Sequence, residues 1–156
     1  MFADKINDRE IIVDYNFVRC LGNFLTENIT KEELFDLTVL ADDCGNSFIK
    51  NISKTLFGKV VFDEGNIEQA MNIYNEQIIY FANEKNALGA LLNWYLIAEL
   101  NLKTDKIDEA IEVAQKSLEV AQNPQIDNYL FRILFKMILA RAFMQMKDYN
   151  ASKIYL

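Results

Sequence analysis

The chain has 156 residues, enough for one domain with a buried core, and carries a formal net charge of −7. It is 51% hydrophobic and 25% charged, with five glycines and one proline, which is typical of a folded protein built from helices. Because the chain is acidic and has no run of basic residues, it is poorly suited to a phosphate backbone, and we expect no nucleic-acid partner.

The N-terminal stretch MFADKINDREIIVDY is charged throughout, unlike a secretion signal. The most apolar stretch, residues 128–146, contains Arg132, Lys136 and Arg141, which argues against a membrane span. Cys20 and Cys44 belong to no CxxC motif, and the chain has no histidine. We therefore expect reduced thiols, no zinc site and a cytoplasmic location.

Apolar residues at helical spacing, separated by short polar clusters such as DEGN at 63–66 and KTDK at 103–106, predict an all-α fold. The predicted helices span about 8–27, 30–43, 46–63, 66–83, 87–103, 106–122, 126–146 and 148 to the end. Because the connections are short, neighbouring helices should pack side by side and antiparallel.

Three segments repeat one pattern: residues 54–70, 94–110 and 136–152 align without gaps, at offsets of 40 and 42. Two antiparallel helices approach closely only where small side chains meet, and the pattern places one small residue on each helix of a pair. These pairs are Gly58 with Ala70, Ala98 with Ala110, and Ala140 with Ser152. A single hairpin cannot bury both its faces, so the hairpins should stack.

This pattern resembles the tetratricopeptide repeat. The second copy carries most of it, in Trp94, Ile97, Ala98, Ile107, Ala110, Ser117 and Pro124. Lys54 and Lys136 stand in the tryptophan position, so Trp94 is interpreted as an optional core wedge and not as a ligand-binding aromatic. The period is longer than the family's ~34 residues. The resemblance implies a right-handed superhelical stack of helix hairpins, a TPR-like α-solenoid.

On this frame residues 1–156 form one helical-repeat domain. Residues 1–45 are a degenerate or capping repeat, followed by repeats at 46–85 and 86–125 and a truncated repeat at 126–156. The last repeat stops near the middle of its second helix, where Tyr149, Ile154 and Tyr155 form an apolar face. We expect either a fragment of a longer protein or an edge covered by another chain, with self-association as one possibility.

Catalytic motifs are absent from the sequence: it has no GxGxxG, GxxxxGK[ST], HExxH or GxSxG. Acidic pairs such as Asp42–Asp43 are better explained as solvated helix ends than as an acid–base pair. The sequence therefore predicts no enzyme and no cofactor. An enzyme with a helical active site would instead need a closed pocket with strongly shifted carboxylates.

The resemblance implies a concave groove lined by a second stripe on the first helix of each repeat. The candidate groove residues are Ile52, Thr55, Lys59, Phe62, Leu92, Tyr95, Glu99, Leu102, Leu134, Met137, Arg141 and Met144. Such a groove suits an amphipathic helix or an extended apolar segment. Thr55 and Tyr95 stand where carboxylate-clamping relatives have lysine, so a C-terminal carboxylate is a poor candidate ligand. Alternatively, neighbouring helices bury these residues.

The resulting prediction is a protein- or peptide-binding module within a scaffold or regulator. The alternative is a regulatory domain that senses a small ligand or peptide, which would show ligand-dependent thermal stabilisation.

Overall fold

The computed structural model describes residues 2–26 and 28–156, and these residues form helices and turns without a strand. The helices are α1 (Phe2–Leu25), α2 (Lys31–Asp43), α3 (Ser47–Asp63), α4 (Ile67–Asn83), α5 (Ala87–Lys103), α6 (Ile107–Gln122), α7 (Tyr129–Gln145) and α8 (Tyr149–Ile154). The all-α prediction is confirmed, and most helix ends lie within a few residues of their predicted positions.

Two predicted helix starts were wrong. Helix α1 begins at Phe2 instead of residue 8, because nothing in the preceding segment breaks a helix. Helix α7 begins at Tyr129 instead of residue 126. Its start is delayed because Asp127 has a φ of +30°, which a helix does not accommodate, and Asn128 then caps the helix.

Side-chain caps mark the starts of five of the helices. Thr30 forms a capping box with Glu33 before α2. An oxygen of the N-cap side chain also accepts a backbone N–H three residues later in four other helices; these N-caps are Asn46, Asn86, Asn128 and Asp148. A cap of this kind stabilises a helix by about 1 kcal/mol.

Helix C-termini use left-handed residues at regular positions. A positive φ is found two residues beyond the ends of α2 to α5 and α7, at Gly45, Gly65, Lys85, Asp105 and Lys147. In this conformation the chain reverses within a short turn and offers N–H groups to the last helical carbonyls. These turns alternate with the caps and set the spacing of the helices along the chain.

The helices form two compact units, which divide within α4 after Ile73. In the first unit α2 packs against both α1 and α3, and α1 also contacts α3. Its core includes Val13, Cys20, Leu37, Ala41 and Ile49.

In the second unit α6 packs against both α5 and α7, α7 packs against α8, and α5 also contacts α7. Its core includes Leu91, Ala98, Phe135, Ile138 and Leu139. Phe81 approaches Gly89 closely, so that a Cβ atom there would overlap the phenylalanine ring. Helix α5 is therefore contacted on several sides, and these contacts decide how far the groove residues predicted on α5 are buried.

Two of the predicted small-residue pairs are buried where their helices pack together. Ala98 and Ala110 are both fully buried in the core of the second unit. The Ser152 hydroxyl donates a 3.0 Å hydrogen bond to the carbonyl oxygen of Ala140, so α7 and α8 cross closely at this pair. Helices α3, α5 and α7 begin at residues 47, 87 and 129, which repeats the predicted offsets of 40 and 42.

Two features are absent from the described part of the chain. None of its helices is long and apolar enough to span a membrane. It also contains no group of three or more cysteine, aspartate or glutamate side chains arranged to hold a metal ion.

Candidate partner-binding surface

Trp94 lies on α5, half-buried against the core of the second unit. It borders a shallow depression of about 180 Å³ together with α6 residues Val113, Lys116, Ser117 and Val120. Its indole therefore packs between α5 and α6, as expected for a wedge in a helix pair.

The candidate groove residues on α3 lie mostly inside the first unit. Ile52 and Thr55 are buried, and the Thr55 hydroxyl donates to the carbonyl oxygen of Asn51. Lys59 and Phe62 are half-buried, and Lys59 forms an ion pair with Asp63 one turn later. On α3 burial by neighbouring helices therefore accounts for at least two of the four positions.

On α5 the candidate residues differ in burial. Leu102 is only 1% exposed and belongs to the core, so it is not available to a partner. Leu92, Tyr95 and Glu99 are half-buried. On α7, by contrast, Met137 and Met144 are each 52% exposed, Arg141 is exposed, and Leu134 is half-buried.

A polar cluster joins α5 to α7 at Glu99. The Glu99 carboxylate lies 3.5 Å from the Arg141 guanidinium and 3.8 Å from the Lys103 ammonium. Tyr95 lies close enough to the same carboxylate for Glu99 to affect its pKa. Glu99 and Arg141, two of the charges predicted to line the groove, are therefore paired with each other.

The Tyr95 ring links α5 to α7 beside this cluster. It packs edge-to-face against Phe135 of α7, with ring centroids 6.3 Å apart and an interplanar angle of 71°. Burial, followed by the negative charge of Glu99 and the hydrogen bond to it, raises the pKa of Tyr95 to about 12, while Arg141 opposes the shift. Tyr95 thus stays a neutral hydrogen-bond donor under physiological conditions.

Residues 93–124 match the family model of the tetratricopeptide repeat. The match runs from Asn93 through the rest of α5, all of α6 and the turn to Pro124. The α5–α6 hairpin is a tetratricopeptide repeat. No curated protein and no solved structure matches the chain. The predicted resemblance is confirmed for this hairpin, whereas the longer repeat length remains a prediction.

Beside the tetratricopeptide repeat, α7 exposes two methionines on either side of an arginine. Methionine side chains are flexible and polarizable, so Met137 and Met144 can adapt to apolar side chains of different shapes. Arg141 lies between them and presents several N–H donors, of which Glu99 engages only part. Met137, Arg141 and Met144 follow one another at the four- and three-residue spacing of one helix face, and Arg141 lies near Tyr95 of α5. We call these four residues the α7 stripe: Tyr95, Met137, Arg141 and Met144.

Two further surfaces lie outside the predicted groove, and the first includes Ile154 and Tyr155 of the C-terminal apolar edge that the sequence predicts. One is a cleft between α7 and α8 lined by Tyr129, Ile133 and Tyr155 among others. The other is an exposed apolar face of α1 that includes Tyr15 and Val18. The repeat frame carried a signal for the first, because Lys136 replaces the wedge Trp94 there. Helical spacing of exposed apolar residues could have found the second.

Proposed function

We propose that this protein is a non-catalytic binding module that recognises a protein or peptide partner through the α7 stripe, as part of a scaffold or regulator. A tetratricopeptide repeat supports a role in protein–protein interaction. The observation that carries the more specific proposal is the exposure of Met137 and Met144 on either side of Arg141.

Exposure distinguishes these methionines from the rest of the predicted groove. In the repeat frame Met144 corresponds to Leu102, which is buried, while Met144 is half uncovered. Two large apolar side chains on one helix face, seven residues apart, offer anchors to an apolar segment. Burying them in a complex would be favourable by roughly 25 cal/mol for each Å² of apolar surface removed from water.

Charge specifies what should lie beside the apolar anchors. The Glu99 carboxylate is 3.5 Å from Arg141, a long contact that leaves guanidinium donors available. A carboxylate on the partner could complete this pairing. The best-fitting partner is therefore an amphipathic helix or extended segment with apolar residues next to an acidic one, in agreement with the partner class inferred from the sequence.

The free thiols are consistent with a cytoplasmic, non-catalytic role. Cys20 is buried, and its burial, with a smaller contribution from Glu33, raises the pKa of the thiol and disfavours the reactive thiolate. Cys44 is half-buried and forms no disulfide. Reduced cysteines of this kind are usual in a reducing compartment.

Peptide display against the purified protein tests the proposal. Peptides selected on the wild type are measured by calorimetry against Met137→Glu and Arg141→Glu, with Met146→Glu as the matched control, because Met146 is an exposed methionine outside the α7 stripe. We expect both stripe variants to lose at least about tenfold in affinity, or 1.4 kcal/mol. We also expect an acidic residue beside apolar ones in the selected peptides. Equal binding to all variants would show that recognition occurs elsewhere.

A further inference from the structure

The depression beside Trp94 lies wholly within the tetratricopeptide repeat, and its lining is mainly apolar. Trp94 of α5 and two valines of α6, Val113 and Val120, are half-buried around it. The other two lining residues are Ser117, which is buried, and Lys116, which is exposed. The depression therefore offers an apolar contact surface, with a charged side chain only at Lys116.

Its volume of about 180 Å³ suits one large apolar side chain. An apolar cavity of roughly 150 Å³ is enough to hold a benzene ring. A leucine or phenylalanine of a partner would thus fill the depression, and its burial would be favourable because apolar atoms leave water. Tryptophan is also frequent among the residues that contribute most to binding at protein interfaces.

The charges that α6 presents to solvent are mostly negative. Four carboxylates of this helix are exposed, against one ammonium group; the acids are Asp108, Glu109, Glu112 and Glu119. The ammonium group is that of Lys116, and it lies 2.6 Å from the Glu112 carboxylate. Because the only cation of α6 is already paired, a ligand beside this helix meets a net negative charge, which favours a basic ligand.

Helical spacing places two of these carboxylates beside the depression. Val113, Lys116 and Val120 follow one another at three- and four-residue spacing, so one side of α6 lines it. Glu109 precedes Val113 by four residues, and Glu119 follows Lys116 by three, which are the distances of neighbours on a helix surface. A segment whose apolar side chain enters the depression therefore has a carboxylate towards each end of α6.

Trp94 restricts this surface to one of the three repeats. The equivalent positions in the other two copies are Lys54 and Lys136. A lysine keeps its ammonium group in water and does not supply the flat apolar wall of an indole. Because Trp94 is only half-buried, it can act as a wedge between α5 and α6 and still present part of its ring to a ligand.

We propose that the depression beside Trp94 is a second recognition site, which binds a short basic segment of a partner protein. A leucine or phenylalanine of that segment fills the depression, and lysine or arginine residues on either side of it face Glu109 and Glu119. The five lining residues are all different from those of the α7 stripe, and the preferred ligand charge is the opposite one. The proposal therefore goes beyond the function proposed above and does not depend on it.

Nuclear magnetic resonance of the nitrogen-labelled protein tests the site, because the single tryptophan gives a single indole N–H signal. The probe is a peptide with blocked ends, Gly-Lys-Arg-Leu-Arg-Lys-Gly, for which we expect a saturable shift of that signal. Replacing its leucine by alanine should weaken binding by at least roughly tenfold, since the depression is then left unfilled. Replacing its four cations by glutamate should abolish binding, because like charges then face each other.

Trp94→Lys gives this repeat the residue that the other two carry at the same position. We expect this variant to fold and to lose the peptide, with the amide signals of Val113 and Val120 as reporters in place of the indole. Circular dichroism checks the fold. If Trp94→Lys does not fold, the charge variants below decide the question, because they retain the indole.

Glu109→Lys and Glu119→Lys change exposed carboxylates and should each weaken binding of the basic peptide roughly threefold. Glu84→Lys, at an exposed position of the second unit outside α6, is the matched control and should bind like the wild type. Met137→Glu, which alters the α7 stripe, should also bind this peptide like the wild type. This last variant distinguishes failure of the second site from failure of the function proposed above.

Four results would overturn the proposal. The first is an indole signal that does not shift with the peptide, and the second is equal binding of the alanine or glutamate peptide. The third is unchanged binding by a folded Trp94→Lys variant or by both Glu109→Lys and Glu119→Lys. The fourth is an indole signal that moves with protein concentration in the absence of peptide, which would assign the depression to a second copy of the chain.

Discussion

The Ser152 hydroxyl of α8 donates a 3.0 Å hydrogen bond to the carbonyl oxygen of Ala140 on α7, and both residues are almost fully buried. The bond forms because neither side chain is large enough to hold the helices apart. It also gives a buried hydroxyl a partner. The crossing of the last two helices therefore depends on side-chain size as well as on polarity.

Substitutions at Ser152 separate these two effects. Ser152→Ala should lower the free energy of unfolding by about 1 kcal/mol, since it removes one hydrogen bond and keeps the residue small. Ser152→Leu should cost about 3 kcal/mol, because the larger side chain overpacks the crossing. Urea denaturation gives the free energies, and amide hydrogen exchange reports the loss of α8. Equal effects of the two variants would contradict the role assigned to size.

Gly89 should be intolerant of a side chain. A Cβ atom there would overlap the ring of Phe81, which is buried, so Gly89→Ala should destabilise the protein by about 2–3 kcal/mol. Gly22, in α1, is the matched control. A Cβ at Gly22 meets nothing, and Gly22→Ala should stabilise by about 0.5–1 kcal/mol through helix propensity. Thermal unfolding of both variants is the measurement, and the same sign for both would refute the prediction.

The turn after α4 contains a residue under backbone strain. Lys85 has a φ of +53°, while the equivalent turns at Gly45 and Gly65 use glycine. Lys85→Gly should therefore raise the free energy of unfolding by about 1 kcal/mol, the usual cost of a left-handed conformation for a residue with a Cβ. Ala82→Gly, three residues earlier within α4, should lower it by about 1 kcal/mol. Calorimetry that shows both changes destabilising would argue against strain at Lys85.

Tyr95 should make the stability of the protein depend on pH in the alkaline range. Its pKa is raised from 10.0 to about 12 in the folded chain, so between these values the unfolded state loses the proton first. Stability should then fall as pH rises through this interval and be unaffected by Tyr95 below it. Urea denaturation of the wild type and Tyr95→Phe across the range measures this. A Tyr95→Phe variant with an unchanged alkaline slope would show that another group is responsible.

Local sequence signals were sufficient to predict the helices and their repetition. Caps such as Asn86, turns such as Gly65 and small residues such as Ala98 act through the backbone of a few neighbouring residues. The amino-acid sequence of this chain is therefore enough to locate these caps, turns and small residues. The missed start of α7 is instructive, because the positive φ of Asp127 has no strong sequence signature.

The candidate site could be predicted only in part. The twelve groove residues were predicted from helical spacing. This spacing assigns a residue to one face of its helix but does not reveal which other helix lies against that face. Leu102 and Met144 occupy the same position in the repeat, yet Leu102 is in the core and Met144 faces solvent. The pairing of Glu99 with Arg141 was likewise not predictable, because it joins residues on different helices, 42 positions apart.

The sequence by itself determined the all-α class, the helix pairs and the small residues at their crossings, because these follow from short-range backbone chemistry and side-chain size. Only the tertiary structure decided which apolar residues remain available for contact. Burial depends on what other helices place against a residue: Leu102 of α5 lies in the core of the second unit, whereas Met144, at the same position of the repeat on α7, is half exposed.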